Sequence, residues 1–250
     1  LLKKFSINVE ILTWYGKKPT SNIQSLARKK RYELLISRCK NLKIKNILIA
    51  HHQDDLFENF FIRILRGSGL KGLISLDKKS KTNNINILRP LLEFKKEDLL
   101  FVSKYVFNFY LNDPSNNDDK FQRIRIRNLL SKLKKEGLDR NKFINTIKNL
   151  RYSDDTIKFY VKNNLQKNTF YSEKNNKMIL NSEFFSQPQE VVFRSFSDVI
   201  KSIGQNYYSV RGKKLENIIL EIEKQSFFKA TLGGCIIKKV KQTIIITKEH

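Results

Sequence analysis

A chain of 250 residues and 29.6 kDa with 40% hydrophobic content is long enough to bury a real core as one large domain or two small ones, which excludes wholesale disorder. Its 49 Lys and Arg against 24 Asp and Glu give a formal charge of +25, an excess that repels itself unless a polyanion neutralises it. Nucleic acid is therefore the first partner to consider, although Ala occurs only at Ala27, Ala50 and Ala230, so A+T-rich coding supplies part of the Lys.

The opening Leu1-Leu2-Lys3-Lys4-Phe5 reads like the middle of a longer chain, as a fragment or a Leu start codon would give. Asn8–Trp14 carries β-branched and aromatic residues and predicts a strand, with Gly16 and Pro19 as breakers. Ser21 or Asn22 caps the helix expected next, in which Ile23, Leu26, Ala27, Leu34 and Leu35 recur near helical spacing. Lys45–Ala50 is a continuous apolar run, the pattern of a strand covered on both faces of a parallel sheet. Strand, helix and strand make a βαβ unit.

After that strand comes His51-His52-Gln53-Asp54-Asp55 and a clear helix. Leu56, Phe57, Phe60, Phe61, Ile64 and Leu65 form its apolar stripe, with Asp55, Glu58, Asn59, Arg63 and Arg66 opposite. Asp54 or Asp55 suits the N-terminal end, and Gly67 the C-terminal stop. Leu88–Leu92 follows, then an amphipathic helix from about Phe94 to Phe107 and a turn cluster at Asn112–Asp118. From Phe121 the texture becomes Arg-rich, then Lys-rich and helical through about Leu165. Leu215, Ile218, Ile219 and Ile222 predict a helix. A hairpin of Gly233–Ile237 and Gln242–Thr247, joined by Lys238–Lys241, closes the chain.

The expected architecture is α/β. A doubly wound, mostly parallel sheet, incomplete at its N-terminus, occupies residues 1–130. A smaller, mainly helical domain with a C-terminal hairpin occupies 131–250. Cys39 and Cys235 lie far apart with no Cys or His at ligand spacing, which argues against a disulfide scaffold or zinc cluster and fits a reducing cytosol. No run reaches the eighteen or so apolar residues of a membrane span, and no apolar signal core opens the chain. A soluble, cytoplasmic protein without membrane contact is expected.

The residues after Ala50 lie where open parallel sheets place function, at the carboxyl end of a strand in the loop entering a helix. Two imidazoles and the carboxylates of Asp54, Asp55 and Glu58 converge there. The plainest reading is that the aspartates cap the helix and the histidines satisfy backbone groups. A metal hydrolase using His51, His52, Asp54 and Asp55 would need distant further ligands, and His250 is the only other histidine. Basic groups outnumber acidic ones by 12 to 2 in residues 1–50 but by only 9 to 7 in 51–100. Segments 17–45 and 120–151 are thus the candidate phosphate-contacting surfaces, with solvated Lys-rich faces as the plain alternative. Phe121, Tyr152, Phe159 and Tyr160 can stack bases, although aromatics at helical spacing are more often core.

His51-His52-Gln53-Asp54-Asp55-Leu56-Phe57-Glu58-Asn59, continuing to Leu65-Arg66-Gly67-Ser68-Gly69-Leu70-Lys71-Gly72-Leu73, resembles a signature of the tRNA isoleucine lysidine synthetases, members of the N-type ATP pyrophosphatases. The resemblance extends upstream through Lys18-Pro19, Ile23-Gln24, Ala27-Arg28 and Arg31-Tyr32. Downstream it takes in Arg89-Pro90-Leu91-Leu92, Asp113-Pro114-Ser115-Asn116, and Arg123, Arg125 and Arg127. Ala230–Cys235 resembles the end of the family's central domain.

The resemblance implies an enzyme that uses ATP to adenylate C2 of the wobble cytidine in an isoleucine tRNA with a CAU anticodon, after which free lysine displaces AMP. It implies ATP and Mg²⁺ as cofactors, that tRNA and lysine as partners, and in some relatives a homodimer. Asp55, Glu58, Arg123 and Arg127 are the implied catalytic residues. Asp55 and Glu58 hold Mg²⁺ or receive the lysine ammonium and help deprotonate it, while the arginines grip phosphate or the activated cytidine. His51, His52, Asp54, Arg66, Gly67 and Gly69 fall to the nucleotide; Asn59, Arg63, Asp113, Ser115, Asn116 and Arg125 fall to the substrates.

Two departures stand out. Ile124 occupies a place where the family pattern has Asn, which would remove a polar contact. The family's Ser-Gly-Gly-x-Asp-Ser loop, whose amides cradle pyrophosphate, is missing from residues 1–250: the one Gly-Gly pair is Gly233-Gly234. These residues alone should therefore bind ATP poorly and be inactive. A cytidine-modifying tRNA thiolase is the nearest alternative, but such enzymes use paired cysteines. A non-catalytic RNA-binding remnant is another, but it does not require the carboxylates.

Overall fold

The computed structural model describes residues 2–16, 23–111, 122–173, 176–205, 210 and 212–249. Pro19, Ser21, Asn22, Phe121 and the turn cluster at 112–118 lie outside them. The chain divides into two compact units, Leu1–Arg140 and Asn141–His250; the change in sequence texture placed the boundary near 130.

In the first unit the elements run α1 (Ile23–Asn41), β1 (Asn46–Leu48), α2 (Gln53–Leu65), α3 (Leu70–Leu73), β2 (Lys79–Thr82), β3 (Ile85–Leu88), α4 (Lys96–Tyr105) and α5 (Gln122–Lys135). The sheet is mixed, in the order β1-β3-β2, with β1 parallel and β2 antiparallel to β3. Asn83 and Asn84 turn the β2–β3 hairpin with φ of 50° and 64°, a left-handed pair that asparagine tolerates and that matches strand twist.

Two strand expectations change. Residues 7–15 form no ladder, because β-branched residues supply propensity but a strand also needs a neighbour's backbone groups. The continuous apolar run around β1 is not covered on both faces by the described residues: Leu48 is 69% exposed, and among the described strands β1 pairs with β3 alone. The strand buried at its core is β3, whose Ile85 and Ile87 lie in the interior.

Helix α2 also buries a different set from the expected stripe. Leu56, Phe57, Phe60 and Ile62 are buried, but so is Glu58, while Ile64 and Leu65 are exposed. Its C-terminus closes with Gly67 at φ 64°, where the Ser68 N–H donates to Arg63 O at 3.0 Å and the Gly67 N–H to Ile64 O at 2.9 Å. That is the two-bond cap that satisfies the last carbonyls of a helix and calls for a left-handed residue.

The second unit takes nearly all of α6 (Arg140–Asn168), then β4 (Thr169–Ser172), β5 (Lys177–Leu180), α7 (Gln189–Gly204), α8 (Gly212–Lys224), β6 (Phe227–Leu232), β7 (Cys235–Val240) and β8 (Thr243–Lys248). The five strands form one antiparallel sheet in the order β4-β5-β8-β7-β6. Leu180, Phe184, Phe196, Ile200, Leu215, Ile222, Ile237 and Ile246 build its core. The expected hairpin is β7–β8, but it turns at Lys241-Gln242, so Lys238–Val240 belong to the strand. Gly233 and Gly234, at φ 60° and 71°, turn β6 into β7.

One buried carboxylate is engaged through both of its oxygens here. The Asp154 carboxylate accepts from Arg194 Nη1 through Oδ1 and lies 2.8 Å from Lys158 Nζ through Oδ2. Arg194 Nε adds a bond to Glu190 at 2.7 Å. Burial pushes the Asp154 carboxyl up, but the hydrogen bonds from Lys158 and Arg194 outweigh it and hold it below its ordinary value.

Candidate active site

The loop leaving β1 and the first turn of α2 bring the histidines and carboxylates together. The His52 N–H donates to Asp55 Oδ2 at 3.0 Å, and His52 Nε2 lies 3.5 Å from the same oxygen. Asp55 thus caps its own helix through one oxygen. Its other oxygen has no hydrogen-bond partner among the described residues. The Gln53 N–H donates to Phe94 O at 3.0 Å, fixing where α2 begins.

Glu58, one turn further on, is 2% exposed. Arg127 Nε on α5 donates to its Oε1 at 2.5 Å, whereas Oε2 is buried with no partner among the described residues. Burial pushes the Glu58 carboxyl above its ordinary value, and the Asp55 charge adds to this, while Arg127 opposes it. Periodicity placed Glu58 on the polar side of the helix; the α5 guanidinium is what permits it inside. Ile124, whose side chain was expected to make no polar contact, is buried on α5, as are Ile126 and Leu130.

Beneath the histidines lies Arg89, at the end of β3 and 6% exposed. Its Nη1 donates to Asp77 O at 2.7 Å and Ser80 Oγ at 3.0 Å, and its Nε donates to His51 Nδ1 at 3.1 Å. His51 is held below its ordinary pKa, first by burial and then by the charges of Arg89, Arg28 and Arg123, against the opposing pull of Asp55. The sequence pattern alone gives neither Arg28 nor Arg89 a role. An Arg that directly follows an apolar strand was the signal at Arg89.

The other expected site residues divide. Arg123 is exposed, and its charge reaches both His51 and Glu58. Asp54 is engaged by Arg140, whose Nη1 also donates to Gln53 Oε1 at 2.8 Å and whose guanidinium lies 5.4 Å from the Phe57 ring centre. Arg125 is exposed. Asn59 donates to Ser75 Oγ at 3.2 Å, and Arg63 is half-buried. Arg66, Gly67 and Gly69 sit at the far end of α2, eleven or more residues beyond Asp55, or about 16 Å along the axis at 1.5 Å per residue. There Arg66 donates to Gln122 at 3.4 Å and Gly67 caps the helix, so the structure does not bring these three to the His51–Glu58 cluster. Asp113, Ser115 and Asn116 lie outside the described residues. On α6, Tyr152, Phe159 and Tyr160 are 58%, 60% and 51% exposed and so are not core.

The profile of an ATP-binding family described as PP-loop domain matches residues 1–134, a span holding the whole cluster. The chain belongs to the PP-loop domain family. This PP-loop chain is similar to tRNA(Ile)-lysidine synthases. It is 34% identical to that of Wolbachia pipientis wMel over 240 residues, covering 96% of this chain and 56% of the relative. It is 34% identical to that of Orientia tsutsugamushi (strain Boryong) over 251 residues, covering 95% and 55%. To that of Rickettsia bellii (strain OSU 85-389) it is 30% identical over 233 residues, covering 92% and 53%. The chain therefore spans just over half the length of these curated relatives. Among the described residues of this PP-loop chain no helix is long and apolar enough to cross a membrane.

Proposed function

We propose that this chain belongs to an enzyme that ligates lysine to C2 of the wobble cytidine in an isoleucine tRNA with a CAU anticodon, through an adenylated tRNA. The C2 oxygen attacks the α-phosphorus of ATP and pyrophosphate leaves; a lysine amine then attacks C2 and AMP leaves. The observation that carries this reading is the orphaned, buried Glu58 Oε2, one turn from the uncommitted oxygen of Asp55 and within reach of the Arg127 and Arg123 charges. A buried carboxylate oxygen without a donor is costly unless a ligand supplies one, and an ammonium does so.

Glu58 is also suited to take up the proton that makes the amine nucleophilic. Burial favours its protonated form, and a carboxylate displaced toward neutrality is the stronger base. Arg123, exposed, and Arg127, fixed by Glu58, face the phosphates and the cytidine, where guanidinium groups bind oxyanions in forked geometry. The two free carboxylate oxygens also fit Mg²⁺, provided phosphate and water complete its shell, since no cluster of three or more His, Cys, Asp or Glu able to hold a metal occurs among the described residues. When bound, Mg²⁺ spreads the charge of the leaving pyrophosphate.

Calorimetric titration of residues 1–250 with lysine and with norleucine, which lacks the side-chain ammonium, tests the reading. Lysine binds, norleucine does not, and Glu58→Gln weakens lysine by at least about tenfold, the scale of a charged hydrogen bond. Equal lysine affinity in wild type and Glu58→Gln would sink the assignment. The same residues mixed with ATP, lysine and the tRNA release no AMP, because they hold no Ser-Gly-Gly-x-Asp-Ser loop. AMP release would overturn that part of the proposal.

A further inference from the structure

Arg89 follows β3 and is 6% exposed. It is a guanidinium inside the first unit with no carboxylate partner among the described residues. Burying a cation without an anion is expensive, and replacing it by an apolar residue would ordinarily be the cheaper solution. Two of its three bonds go to Asp77 O and Ser80 Oγ, on the loop before β2 and on β2 itself. The orientation of its Nε–H is thus set from outside the histidine loop.

That N–H ends on His51 Nδ1. Arginine has no acceptor and stays protonated, so the bond requires a lone pair on Nδ1. A neutral imidazole carries one N–H, which must then be on Nε2, and an imidazolium would set two donors and two positive charges against each other. We propose that Arg89 is a positioning residue that locks His51 in the tautomer protonated at Nε2, making His51 a hydrogen-bond donor to a substrate oxygen and barring it from acting as a base.

The surroundings agree. The charged groups acting on His51 are Asp55, Arg89, Arg28 and Arg123, three cations to one anion. His51 Nε2 makes no hydrogen bond among the described residues, so its proton is available to a ligand. A neutral donor of this kind binds a phosphate oxygen, or the C2 oxygen of a pyrimidine, without giving up its proton. Proton acceptance is left to Asp55 and Glu58. This division of labour rests on the reading of the cluster as a reacting site, but the lock itself is a property of the folded chain and is measurable without substrate.

The test is a long-range ¹H–¹⁵N correlation spectrum of the full chain with ¹⁵N-labelled imidazoles at neutral pH. Three histidines make it simple, and His51→Gln assigns the signal. His51 should show a single tautomer, with Nδ1 at the shift of an unprotonated nitrogen and Nε2 at that of a protonated one. Arg89→Met and Arg89→Lys should both lose this signature, giving averaged shifts. Ser80→Ala, which removes another of the guanidinium's bonds but leaves Nε in place, should keep it. The proposal is overturned by a wild-type His51 protonated at Nδ1 or at both nitrogens, or by a folded Arg89→Met with the wild-type spectrum. Averaging in Ser80→Ala as complete as in Arg89→Met also overturns it, by showing general loosening. Should Arg89→Met fail to fold, the wild-type spectrum and Arg89→Lys decide. Loss of lysine binding with an intact lock would defeat the proposed function and leave this inference standing.

Discussion

Among the described residues each unit buries one carboxylate against one arginine, and the two pairs are finished differently. In the second unit both oxygens of Asp154 are occupied, one by Arg194 and one by Lys158, and the carboxyl is held below its ordinary value. In the first unit Glu58 has one oxygen on Arg127 and the other on nothing among the described residues, and its carboxyl is pushed up by burial. A buried ion pair is therefore not by itself a sign of function. The difference lies in whether the acceptor capacity of the acid has been used up by the fold. Asp154 fastens α6 to α7; Glu58 keeps an acceptor oxygen that no described residue fills.

The sharpest way to break this contrast is to remove each acid. Asp154→Ala leaves Arg194, 7% exposed, as a buried cation without its main partner, and should cost about 3–5 kcal/mol in urea unfolding of the second unit. A loss below about 1 kcal/mol would mean that the network is ornamental. Glu58→Gln should instead change stability by no more than about 1 kcal/mol, because it removes a desolvated charge and keeps the shape, while lysine binding falls as described above.

Acidity separates the same pair. Glu58 is raised when folded, so its contribution to stability is full below its unfolded value near 4.5 and fades as pH rises through the folded value. Asp154 is lowered, so its contribution is present above 3.8 and is lost as pH falls through the folded value. The stability of wild type relative to Glu58→Gln should drop with rising pH, and that relative to Asp154→Asn should drop with falling pH. Parallel trends would erase the distinction. The smallest effect concerns the far end of α2. Gly67→Ala, forced into a left-handed backbone, should cost about 1–2 kcal/mol. Gly69→Ala, at φ −68° with open space around its added methyl, should stay within about 0.5 kcal/mol, and neither should alter lysine binding.

Much of this was legible in the residues themselves. The apolar spacing of Leu56, Phe57 and Phe60 announced α2, and Gly67 announced its end. The closeness of His51, His52, Asp55 and Glu58 in sequence marked the candidate site. What stayed hidden depended on distant partners. Glu58 lies in the polar half of its helical wheel, and its burial follows from an arginine 69 residues away. Lys79–Thr82 has no apolar alternation and becomes a strand only because Asn83-Asn84 folds it back on β3. Asn8–Trp14 has strand residues but no described neighbour to pair with. Arg66 and Gly69 share a motif with Asp55 in sequence, yet the straightness of a helix carries them away from it.

Cys235 is fully buried in the second unit, where its thiol donates to Ile200 O at 3.3 Å and burial pushes its pKa up to about 11. The nucleophile in alkylation is the thiolate, so a maleimide at neutral pH has almost nothing to attack there until the core opens. Cys39, half-buried on α1, has no such shelter. A second adduct, detected by mass, would therefore count excursions of the second unit out of its folded state, and the chain carries in this one sulfur a clock for its own opening.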